Sequence, residues 1–162
     1  MTKQERIQAI GAYREPHQKI IFWLTVALIF FNSFTLGFDD IWWMWGIGSI
    51  FAAIGLVRFM LREGEVLMAF TNGRGRVLTK RLYQMYSLWI VLVTGTILLS
   101  RIHIPTFGWV LYGVCFVILG WSHYTIHKQF KQADPDQPTR DEITKGYRSY
   151  ERSTYADKTR TH

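Results

Sequence analysis

The stretch IIFWLTVALIFFNSFTLGF, residues 20–38, runs for nineteen residues without a charge. A helix rises about 1.5 Å per residue and a bilayer core is about 30 Å thick, so about twenty apolar residues cross it. A helix at the surface of a soluble bundle shows a polar face at every turn, and this stretch shows none. Three more stretches read the same way. Ile41–Leu61 carries only Arg58, near its end, while Leu82–Ser100 and Ile104–Ser122 carry no charge. The mean hydropathy of +0.04 is unremarkable only because it averages these stretches with densely charged segments between them. The sequence therefore predicts an all-α integral membrane protein with four transmembrane helices, paired as hairpins over 20–61 and 82–128. The first stretch is too long for a cleavable signal peptide, and no small-x-small site follows it.

Outward from residues 20–38 comes DDIWWMWGIG, residues 39–48. Asp39 and Asp40 read as the tight turn of the first hairpin, and Trp42, Trp43 and Trp45 as the start of the second span. Amphipathic rings settle at headgroup level, so the cluster is expected to be an interfacial belt. Phe107, Trp109 and Tyr112 are expected at the matching depth of the second hairpin, with Trp23 and Trp121 near the opposite face.

The charges fix an orientation. Lys and Arg concentrate in residues 1–19, in 62–81 and in 129–162, whereas the other two loops carry only Asp39, Asp40, Arg101 and His103. Basic loops stay in the cytoplasm, so both termini and the middle loop are expected inside a bacterial cytoplasmic membrane. Residues 1–19 form an amphipathic lead-in and 62–81 a basic loop, readable as a short hairpin or as a helix extension lying on the membrane. The tail opens with the linker ADPDQP. A capping box at Thr139 and Glu142 then starts a short helix with Ile143, Tyr147 and Tyr150 on one face.

An offset of 65 residues lays one hairpin over the other, pairing Gly48 with Gly113, Gly55 with Gly120, Trp42 with Phe107 and Arg58 with His123. Both hairpins start inside, so the repeats are parallel. Gly48, Ala52 and Gly55 fall on one helical face and let another helix approach closely. Gly113 and Gly120 repeat that device in the fourth span. Arg58 and His123, with Arg74 and Arg76 of the basic loop, form the candidate rim for an anionic lipid or ligand.

Glu5–Phe59 resembles the bacterial two-transmembrane-helix (2TM) domain family. The resemblance rests on the lead-in ERIQAIGAYREPHQK, an apolar helix ending near Asn32, and a Trp-rich start with the WGIG motif, Trp45–Gly48. The family tends to place a His late in its second helix. Here Arg58 stands there, while the second hairpin keeps His123 and lacks WGIG. The resemblance implies an integral membrane module of poorly defined role, sometimes attached to signalling domains.

Chemistry is sparse. None of the spans holds Asp or Glu, which argues against proton-coupled exchange. Asn32, Ser33, Ser49, Thr35, Thr94 and Thr96 could line a polar path or bond between helices. His17, His123 and His127 could hold a haem or a metal. Cys115 is the sole cysteine, so no disulfide framework forms. Nucleophile motifs and phosphate loops are absent from the sequence, and Arg74 with Arg76 is too small a basic cluster for nucleic acid. The expected function is that of a small non-enzymatic multipass protein without a cofactor, acting by assembly. It would self-associate or join other membrane subunits in contact with bilayer lipid and anionic headgroups. A dimeric channel or small-solute carrier is one alternative, and a haem-binding electron carrier another.

Overall fold

The computed structural model describes residues 3–71 and 73–133, so the capping box and aromatic face expected in the tail lie outside the described residues. Four helices follow one another: α1 Lys3–Gly37, α2 Trp42–Ala69, α3 Arg74–Leu99 and α4 Thr106–Ala133. All four are long and apolar enough to cross a membrane.

The helices outrun their apolar stretches. With 35 residues, α1 is about 52 Å long. The lead-in is thus about the first half of the same rod. Pro16 sits within it and removes the bond that the Ala12 carbonyl would otherwise accept. The basic segment 62–81 is not a loop. α2 runs on to Ala69 and α3 begins at Arg74, so the connection shrinks to a few residues. Of the two local readings, the helical one is observed, with the two extensions packed on each other, Gly64 against Tyr83. Gly73 makes the tight return possible with φ of +58°, a conformation that costs a side-chain-bearing residue. Thr71 is buried beside it and donates to the Leu67 carbonyl at 3.1 Å.

Facing residues give the packing order. Arg14 meets Glu63, Leu24 faces Gly55 and Phe31 faces Gly48, so one helix climbs as the other descends and α1 and α2 are antiparallel. Gly46 facing Leu98 and Gly64 facing Tyr83 set α2 antiparallel to α3. Tyr86 against His123 and Trp89 against Phe116 do the same for α3 and α4. α1 also touches α3, but among the described residues α4 packs against α3 alone. The result is an open arrangement, not a closed four-helix bundle.

The glycines of the WGIG motif now have a reason. Two positions apart, they look to opposite sides of α2. A Cβ on Gly46 would lie 2.8 Å from Leu98 of α3, and one on Gly48 2.7 Å from the Phe31 ring of α1. Trp45 departs from the expected belt. It packs among Phe30, Phe31, Phe34 and Phe38, with the Phe34 ring centroid 4.9 Å away. Trp43, Trp23 and Trp121 stay exposed. Tyr112 leaves the belt as well. Its hydroxyl donates to the Leu92 carbonyl of α3 at 2.5 Å, in room kept open by Gly95.

Candidate functional site

Three features stand out, and the first is a buried ion pair where α1, α2 and α3 meet. Arg14 offers two N–H groups to Glu63, Nε to Oε2 at 3.0 Å and Nη2 to Oε1 at 2.7 Å. Tyr83 donates its hydroxyl to the same Oε1 at 2.7 Å. Glu63 is only 4 % exposed. Desolvating a carboxylate costs several kcal/mol unless its lone pairs are filled, and here a two-pronged guanidinium and a phenol fill them. Ile10, Leu67 and Tyr83 wrap the pair in apolar surface. Gly64 makes the approach possible, since a Cβ there would meet the root of the Tyr83 side chain at 2.8 Å. This junction ties the three helices near one end of their charge-free stretches.

A second fastening closes the opposite end. Arg101, after α3, donates Nε to the Thr35 carbonyl at 2.8 Å, Nη2 to the Leu36 carbonyl, and Nη1 to Asp39 Oδ1 at 2.5 Å. It thus places a cation on the carbonyls at the C-terminus of α1, the negative end of the helix dipole.

The second feature is a cleft of about 750 Å³ between α2 and α3. Ile50, Ile54, Val57, Val91 and Leu98 give it apolar walls, Ala53 and Gly95 widen it, and Arg58, Arg62 and Glu65 stand at one end. The third is the free side of α4. Gly113, Val117, Gly120 and Tyr124 follow one another at helical spacing, and a Cβ on either glycine would meet nothing within 4 Å. Val117 is 72 % exposed.

The residues singled out in the sequence are dispersed among these features. Gly48, Ala52 and Gly55 lie at the α1–α2 contact, where Gly48 receives Phe31, Gly55 receives Leu24, and Ala52 is buried. Gly113 and Gly120 make no such contact among the described residues, so positions paired by the 65-residue offset do different work. Arg58 lines the cleft, whereas His123 sits against Tyr86, its ring centroid 5.3 Å away. The rim that was to join them is therefore divided. Arg74 and Arg76 are exposed on the first turn of α3. His17 stacks on Tyr13 and approaches Phe59, while His123 stacks on His127. Of the histidines expected to share a haem or metal, His17 thus has its own aromatic partners, while His123 and His127 stack on each other along α4. Among the described residues no three His, Cys, Asp or Glu side chains form a metal-holding group.

Polar residues of the spans divide too. Ser33, Thr35 and Thr96 spend their hydroxyls on the carbonyls four residues back. Asn32, Ser49 and Thr94 are buried, their Oδ1, Oγ and Oγ1 lacking a partner among the described residues. Neither Glu63 nor its partner Arg14 was singled out in the sequence. The available signal was depth, since Arg14 and Glu63 both flank apolar stretches that a hairpin lays side by side.

No family model, curated protein or solved structure matches this chain.

Proposed function

We propose that the protein is a small non-enzymatic multipass protein of a bacterial cytoplasmic membrane that acts by assembly, a second copy docking on α4. Kinship with the 2TM domain family is part of the same proposal and rests on the motif residues alone. Both termini and the α2–α3 connection face the cytoplasm, because Lys and Arg concentrate there.

The observation that carries the reading is the single-sided packing of α4. Among the described residues it touches α3 only, and its other flank presents Gly113, Val117 and Gly120 with open space at both glycines. Helices in lipid associate by dispersion and close backbone approach, and small residues permit that approach. The same surface could receive a different membrane subunit. A second copy needs no further gene product and is tested first. Subunit counting by single-molecule photobleaching in native membranes should give dimers for the wild type and single steps for Gly113→Leu with Gly120→Leu. Single steps for the wild type would overturn the proposal.

One observation favours a second reading, a small-solute carrier. Asn32, Ser49 and Thr94 hold buried polar atoms without partners, and buried polar atoms in spans mark permeation paths or interhelical bonds. Flux in proteoliposomes that falls on Asn32→Leu would support it over assembly alone.

A further inference from the structure

The cleft between α2 and α3 combines two properties that point to one class of ligand. From Ile50 to Leu61 its α2 wall is about 16 Å long, half the thickness of a bilayer core and so the depth of one leaflet. Its volume of about 750 Å³ falls in the usual range for small-molecule sites. The charges are all at one end. Arg58 and Arg62 stand one turn apart and are exposed, and among the described residues neither has a hydrogen-bond or ion-pair partner. Glu65 shares that end, leaving two cations against one anion. Midway along the opposite wall, Thr94 is 4 % exposed and its Oγ1 lacks a partner.

We infer that this cleft binds an anionic phospholipid, one acyl chain lying between α2 and α3 and the headgroup phosphate held by Arg58 and Arg62. A second helix is the poorer occupant, because it would press apolar surface against two unpaired guanidinium groups. A guanidinium matches phosphate oxygens in a fork, and it reaches headgroup level from a position inside the apolar stretch by extending its stem along the helix. The site is separate from the α4 face, so it can exist whether or not the chain self-associates. His123 has no part in it.

Native mass spectrometry of the full chain, delipidated in detergent and titrated with dioleoyl-phosphatidylglycerol or dioleoyl-phosphatidylcholine, tests this. The wild type should prefer the anionic lipid by roughly thirtyfold, the scale of two basic residues at a membrane surface. Arg58→Ala with Arg62→Ala should bring the two lipids level. Val91→Trp, which fills the cleft from an exposed position, should weaken both. Arg74→Ala with Arg76→Ala, at the same end but outside the cleft, should change nothing. Glycerol phosphate should not displace the lipid at equal concentration. The inference fails if the Arg58 and Arg62 variant keeps its preference, or if the Arg74 and Arg76 variant loses as much. It also fails if glycerol phosphate competes as well as the lipid does, which would mark a site for free phosphate.

Discussion

Glu63 shows how much one residue can hold at stake. It accepts three hydrogen bonds from two other helices while almost wholly buried. Removing one member of a buried pair strands the other charge and costs roughly 3–5 kcal/mol. Glu63→Gln should therefore lower the thermal midpoint in detergent sharply, because a neutral amide leaves the Arg14 guanidinium short of its counter-charge. Replacing both Arg14 and Glu63 with Met should recover much of that loss, since no buried charge is then left alone. Circular dichroism melts of the three proteins check this, and a Glu63→Gln protein as stable as wild type would show the pair to be solvated. Little of the junction was legible beforehand. Charge next to an apolar stretch reads as snorkelling or anchoring, and nothing local to Arg14 announces a partner 49 positions away.

Between elements the sequence was more informative, and its failures have a physical cause. Spans appear because hydrocarbon demands long charge-free runs, so all four could be located. Their ends were misplaced, because a helix that leaves the bilayer packed against neighbours need not stop there. Arg62–Ala69 and Arg74–Arg81 stay helical around Leu67, Leu78 and Tyr83. Glycine spacing alone could not separate a used face from an open one. Gly48 and Gly113 are paired by the 65-residue offset, yet only Gly48 meets a side chain. Gly48→Leu should drive a side chain into the Phe31 ring, with an overpacking cost of about 1–3 kcal/mol. Gly113→Leu should leave the fold of an isolated chain untouched. Melts at a dilution where the chain is monomeric decide between them, and equal destabilisation would mean that α4 is clasped within its own chain. Trp45 teaches the same lesson. Trp43 and Met44 just before it are exposed, but its own direction is toward four phenylalanines.

Across the described residues, three helices are fastened at both ends and the fourth is attached on one side. Arg14, Glu63 and Tyr83 lock one end, and Arg101 on the α1 carbonyls locks the other. α4 leans on α3 through Tyr112, Phe116 and His123. If basic segments face the cytoplasm, cysteines placed one at a time at Asp40 and Gly73 in a Cys115→Ser background should differ. The first should react with an impermeant maleimide in intact cells and the second should not. Labelling at Gly73 from outside would invert the topology. The reading of α4 as the docking helix has a direct probe, because Val117 lies between the two open glycines while Cys115 lies on the other side of the same helix. A disulfide needs Cα atoms within about 7 Å, which only a close α4–α4 contact provides. Oxidation of native membranes holding Val117→Cys in a Cys115→Ser background should yield a covalent dimer, and the wild-type Cys115 should yield none. A dimer through Cys115, with Val117→Cys remaining monomeric, would contradict the assignment of this face.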